Sequence, residues 1–124
     1  MKPLRRFARS VRHASRGIRL VLLFEQNFRI QMMIALVALI SFFLVPLVAW
    51  ERVTLLVVVA FVLVLELLNS SIERLLDLLK PRLDAYAGDV KDMMAGAVLI
   101  ASLCAILVGF FIFWPHLASM LARK

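Results

Sequence analysis

Glu66, Asn69, Glu73 and Asp77 stand three or four residues apart in the stretch Leu65-Glu66-Leu67-Leu68-Asn69-Ser70-Ser71-Ile72-Glu73-Arg74-Leu75-Leu76-Asp77. At about 100° per residue, a helix gathers these four side chains within roughly 80° of one another over three turns. The stretch follows the apolar run Val53 to Leu65 without a break, so a helix fit to enter a bilayer meets a carboxylate before it has finished crossing. Ionised groups at that depth cost a few kcal/mol or more and usually face a bundle interior or a wet cavity, where they are paired and functional. A structural account competes with this one. Glu66 and Asn69 could be a buried hydrogen-bonding pair between helices, and Glu73, Asp77 and Lys80 the solvated end of the helix.

Three further groups extend the set. Glu25 lies in the polar break Glu25-Gln26-Asn27-Phe28-Arg29, Lys91 and Asp92 open a later apolar segment, and Arg6 and Arg9 belong to an arginine-rich start. Glu25 could equally pair with Arg29 at i, i+4 in the favourable order. Taken together, the carboxylates can hold a hard divalent cation such as Mg²⁺ that bridges phosphate oxygens. Lys91 and an early arginine can hold a triphosphate by charge. Glu66, the deepest acid, is short of water, and a desolvated carboxylate suits a general base toward a hydroxyl. The chemistry that fits is phosphoryl transfer to a lipid alcohol, which depends on positioning and charge neutralisation more than on a dedicated nucleotide fold.

These groups must be positioned by a membrane protein. The chain has 124 residues, 64% of them hydrophobic, and a soluble domain of that length has too small a core to surround two apolar runs of about 20 residues. The reading is all-α, with an amphipathic surface helix over 4–23 and three crossings at 30–50, 53–80 and 90–114. In the first of these helices, Leu4, Phe7, Val11, Ala14, Ile18 and Leu22 form one stripe and Arg5, Arg9, Arg12, Arg16 and Arg19 another, the pattern of a helix lying at lipid headgroups. The basic start is too long for a secretory signal, and no small-residue cleavage site follows it.

Met32 to Trp50 and Met93 to Trp114 are uncharged runs of 19 and 22 residues, each long enough to span. Pro46 is expected to kink the first crossing, Glu51-Arg52 to link it to the second, Pro81 to stop the second, 81–89 to form the only substantial loop, and Pro115 to end the third. Ala97, Ala101, Ala105 and Gly109 make a small-residue seam for close helix packing. Cys104, the single cysteine, has no intramolecular disulfide partner and reads as a small buried hydrophobe. His13 and His116 lack neighbours at zinc-ligand spacing, and no phosphate-cradling glycine loop or nucleophile elbow is present.

The net charge of +7 comes from Lys2, Arg5, Arg6, Arg9, Arg12, Arg16 and Arg19, because the rest of the chain is balanced. Anionic lipid headgroups are the nearer partner for that segment, and nucleic acid is not expected. By the positive-inside rule the amino terminus lies in the cytosol and the carboxyl terminus outside. Glu25, the Glu66–Asp77 stripe, Lys91 and Asp92 then share the cytosolic rim, within reach of ATP. A small proton- or cation-coupled transporter also needs an intramembrane Glu and small-residue seams, and on these residues alone it stands nearly level. The extension of the stripe through Glu73 and Asp77, joined by Lys91-Asp92 and the arginine helix, favours the kinase, since a transporter has little use for charge outside its pathway.

Glu66-Leu-Leu-Asn69-Ser70-Ser71-Ile72-Glu73, then Asp77 and Lys91-Asp92-Met93, resembles the signature of the prokaryotic integral-membrane diacylglycerol kinase and undecaprenol kinase family, and the likeness runs over nearly the whole chain. It implies a homotrimer in the inner membrane, with ATP- and Mg²⁺-dependent active sites shared between subunits. Glu66 would be the base toward the lipid hydroxyl and Asn69 would orient the reacting groups. Glu25 and Glu73 would bind Mg²⁺ with the ATP phosphates, Lys91 would contact those phosphates, Asp77 and Asp92 would complete the nucleotide pocket, and Arg6 or Arg9 would close over it. The resemblance implies diacylglycerol as acceptor, with undecaprenol as the alternative. Gln31 stands where many diacylglycerol kinases carry a further glutamate, and Gln26-Asn27-Phe28-Arg29-Ile30 and Ala95-Gly96 look closer to the undecaprenol branch, whereas the basic arm is more like the other.

Overall fold

The computed structural model describes residues 2–79 and 84–122 and is helical almost throughout: α1 Lys2–Phe24, α2 Gln26–Leu44, α3 Ala49–Leu79 and α4 Asp84–Leu121. Three stretches are long and apolar enough to cross a membrane, Gln26–Leu44, Ala49–Leu79 and Tyr86–Leu121. α3 packs on both α2 and α4. Most large apolar side chains point outward, among them Met33, Val37, Phe43, Val57, Phe61, Leu99, Ile106 and Phe111. In water that surface would be untenable, whereas acyl chains solvate it at no cost. Cys104 is exposed on this outer face of α4, not buried as expected, because an apolar residue of a spanning helix has no need of a protein neighbour.

Pro46 does not kink a crossing; it ends α2. The residue before a proline is pushed out of the helical region by the pyrrolidine ring, and Val45 is extended, with φ −115° and ψ 135°. The link is therefore 45–48, and Glu51-Arg52 lies inside α3. Glu51 occupies the third position of that helix and accepts a hydrogen bond from the Val48 N–H at 2.9 Å, one half of a capping box. A cap of this kind starts the helix four residues earlier than the apolar run at Val53 suggests.

Pro115 does not end the last helix either. It stands inside α4, which runs on to Leu121, because where water cannot take over the freed carbonyl the neighbouring turns hold together. The continuation brings His116 against Glu51, with Nε2 3.2 and 3.1 Å from the two carboxylate oxygens. This contact fastens the far ends of α3 and α4 beside the buried cluster Leu47, Leu55 and Ile112. Residues 84–89, expected in a loop, are the first turns of α4. The expected stop at Pro81, together with Lys80, lies outside the described residues.

The bend between α1 and α2 is narrower than the five-residue break in the sequence. Glu25 alone leaves helical geometry, at φ −104° and ψ 114°, while its N–H still donates to the Val21 carbonyl at 2.8 Å. Phe28, 1% exposed, and Val21 anchor the two sides of the joint. Along α1 the arginines and the apolar Leu4, Phe7, Val11 and Ile18 are all exposed.

The small-residue seam of α4 is turned toward the protein. Ala101 is buried, and Ala105 and Gly109 border an apolar cleft of about 440 Å³ between α2, α3 and α4. A Cβ placed on Gly109 would meet nothing within 4 Å, so this glycine lines open space and does not serve a close backbone approach within the chain.

Candidate functional site

The polar residues gather where the start of α2, the second half of α3 and the start of α4 meet. Because α3 is a single helix from Ala49 to Leu79, the 3.6-residue repeat sets its stripe in depth. Glu66, 2% exposed, and Asn69, 8% exposed, are buried, Glu73 is half-buried, and Asp77 is exposed. One face thus passes from a dry carboxylate to a wet one over about 16 Å of helix.

Each carboxylate of the stripe has a partner. Gln31, on the second turn of α2, donates from Nε2 to Glu66 Oε2 at 3.2 Å. Asn69 Nδ2 donates to Glu73 Oε1 one turn along the same helix, also at 3.2 Å. Lys91 Nζ meets Asp77 Oδ1 at 2.7 Å and joins the opening of α4 to the end of α3. Glu25 is brought in from the joint between α1 and α2: Arg74 holds its Oε1 at 3.3 Å while the guanidinium lies 5.6 Å above the centre of the Phe24 ring. Its partner is therefore Arg74, from another helix, and not the local Arg29. Glu25 and Glu73 both lie within electrostatic reach of the Glu66 carboxyl, and Glu73 within that of Lys91.

Of the residues singled out in the sequence, Glu25, Glu66, Asn69, Glu73, Asp77 and Lys91 thus form one contiguous set. Asp92 follows Lys91 on α4 and is exposed. Arg6 and Arg9 are not brought to this set by their own chain. They stand on the unbroken α1, about 28 and 24 Å along its axis from Glu25.

Two oxygens mark where something more belongs. Gln31 Oε1 and Asn69 Oδ1 are buried and accept no hydrogen bond, an arrangement that costs about 1–3 kcal/mol per group if left unfilled. Among the described residues no three His, Cys, Asp or Glu side chains converge as a ready-made metal cage. Glu25, Glu73 and the unsatisfied Asn69 Oδ1 are nevertheless all oxygen donors. That set fits Mg²⁺, which is commonly held by one or two carboxylates and completed by phosphates and water.

Sequence reasoning missed two contributors to the site, Arg74 and Gln31, and one contact at the far end of the helices. Arg74 stands in the middle of the stripe, and its alternation with acids was the available signal. The Gln31–Glu66 and Glu51–His116 contacts join positions 35 and 65 residues apart, and nothing in local spacing announces such pairs.

A family model described as prokaryotic diacylglycerol kinase matches residues 12–113. The chain is 36% identical over 114 residues to the undecaprenol kinase of Bacillus subtilis (strain 168), covering 92% of this chain and 93% of that one. It is 30% identical over 111 residues to the diacylglycerol kinase of Escherichia coli (strain K12), covering 90% and 91%. A diacylglycerol kinase of Synechocystis is 32% identical over 129 residues, covering 97% of this chain and 74% of its own length.

Proposed function

The chain belongs to the prokaryotic diacylglycerol kinase family and is a multi-pass membrane lipid kinase; from that premise we propose that it transfers the γ-phosphoryl group of ATP, with Mg²⁺, to the hydroxyl of a lipid alcohol at the cytosolic rim of the inner membrane. One observation carries the reading: a single face of α3 runs from the buried Glu66 to the exposed Asp77–Lys91 pair. A hydroxyl at acyl depth and a phosphate donor in water can meet across that distance.

Glu66 is the base that takes the hydroxyl proton as the oxygen attacks the γ-phosphorus. Asn69, through its hydrogen bond to Glu73, orients the reacting groups. Glu25 and Glu73 would hold Mg²⁺, with Asn69 Oδ1 beside them; bound there, the ion supplies charge neutralisation on the phosphate oxygens. Lys91 contacts the phosphates, and Asp77 and Asp92 complete the nucleotide pocket. Arg74, paired with Glu25 at 3.3 Å, stands beside the residues that would hold the ion. Arg6 and Arg9 lie too far along α1 to close over their own chain's site, which supports their supply by a neighbouring copy in the homotrimer that the family resemblance implies. α1 lies on the membrane surface, its arginines at anionic headgroups, and the positive-inside rule puts the amino terminus in the cytosol.

The acceptor in this reading is diacylglycerol, supported by likeness to two relatives that are diacylglycerol kinases. The undecaprenol kinase reading is favoured by a different observation, the 36% identity with that relative, together with Gln31 beside the base. Purified protein in micelles, given labelled ATP and each lipid in turn, tests both. Label entering the organic phase marks a kinase, the ratio of initial rates names the acceptor, and a failure to label either lipid would overturn the reading.

A further inference from the structure

We propose that Gln31 is the positioning residue of Glu66, holding the carboxyl group in one place both before and after it takes a proton. The inference rests on the reading of Glu66 as the base and extends it to a residue to which that reading gives no role.

Glu66 is 2% exposed, so water cannot follow its change of charge, and the protein must supply a partner suited to both forms. A carboxylate needs a donor, whereas a carboxylic acid needs an acceptor for its new O–H. A lysine or arginine at this place would serve the ionised form alone and oppose protonation. A side-chain amide carries both functions on one plane. Gln31 Nε2 donates to Glu66 Oε2 at 3.2 Å, and Gln31 Oε1, on the same carbon, is buried with no hydrogen bond to fill it.

Rotation about the terminal torsion, which is broad and roughly two-fold in glutamine, exchanges these atoms. Oε1 then accepts from the protonated Glu66, and the amide has paired with the carboxyl in both states. In the step itself, the hydroxyl oxygen forms its bond to the γ-phosphorus, the bond from that phosphorus to the bridging oxygen breaks, ADP leaves with the electron pair, and the hydroxyl proton goes to Glu66. Gln31 gains and loses no atom; it turns over.

The position of Gln31 agrees with this role. It stands at the end of the apolar cleft that runs between α2, α3 and α4 past Ala35, Ala38 and Val62, where a lipid hydroxyl would approach Glu66. Its helix is fixed nearby by the buried Phe28 and Ala35, so the amide is delivered by a rigid element and not by a loop.

A double-mutant cycle on the full chain in micelles tests the proposal. Gln31→Met keeps length and volume but removes both hydrogen-bonding functions. The expected result is a 10- to 100-fold fall in kcat, with KM for ATP unchanged. Glu66→Asp keeps a carboxyl but withdraws it from the reach of Gln31, so adding Gln31→Met to that variant should lower kcat less than threefold. Full activity of Gln31→Met would overturn the proposal. Equal losses in the two backgrounds would do so too, as would loss of the fold in both Gln31→Met and Gln31→Leu, because a purely structural residue behaves in that way. A wild-type chain that labels neither lipid would instead bring down the kinase reading, before Gln31 is at issue.

Discussion

Among the described residues Glu66 is the most deeply buried acid, with Gln31, Glu73 and Glu25 as its hydrogen-bonding and electrostatic neighbours. Replacing it by glutamine keeps shape and hydrogen bonding but removes the proton acceptor, so Glu66→Gln should lower kcat by about 10²–10⁴-fold while nucleotide binding, followed by equilibrium dialysis, stays intact. Glu73→Gln should act on the other substrate. Loss of a metal-binding carboxylate is expected to weaken the apparent affinity for Mg-ATP by about 10–100-fold, read as the shift in half-saturating Mg²⁺; an unchanged dependence would make Glu73 a solvated surface group. Much of this set was legible because Glu66, Asn69, Glu73 and Asp77 share one helix, and helical spacing alone brings them to one face. Gln31 and Arg74 were not assigned roles in it, since their parts arise only when α2 and the α1–α2 joint dock on α3.

At the scale of elements, what sequence left open were the ends of the helices. Pro46 and Pro115 are the same residue type in similar apolar surroundings, yet one terminates a helix and the other is carried through it. The difference lies downstream of each proline: beyond Pro46 the capping carboxylate of Glu51 opens a new helix, and beyond Pro115 the His116–Glu51 contact holds the old one in place. The Glu51 and His116 that meet are far apart in sequence, so no local rule could separate the two prolines. Glu51→Ala removes the cap and the clasp together, leaving the Val48 N–H and the His116 ring without their acceptor. It should destabilise the protein by about 1–3 kcal/mol, measured by thermal unfolding in micelles. Asp77→Asn breaks an exposed pair and should leave the thermal transition almost unchanged, its effect appearing in nucleotide affinity instead.

For the whole molecule, three apolar helices fix the class, and the charge distribution leads to the orientation proposed above. That orientation is open to a direct check. In a Cys104→Ser background, Ser15→Cys should react with a membrane-impermeant maleimide only after the cells are permeabilised, and Arg52→Cys should react in intact cells; the reverse pattern would put the carboxylates on the wrong side for ATP. The two ends of the α3–α4 pair are also held by unlike bonds. Glu51 and His116 meet with side chains 10% and 21% exposed, whereas Asp77 and Lys91 are 54% and 31% exposed. Dissolved ions screen the second contact and scarcely reach the first. Raising ionic strength therefore slackens one jaw of the pair while the opposite end keeps its grip, so brine acts on this protein as a hand on a clothes-peg, parting the tips and sparing the spring.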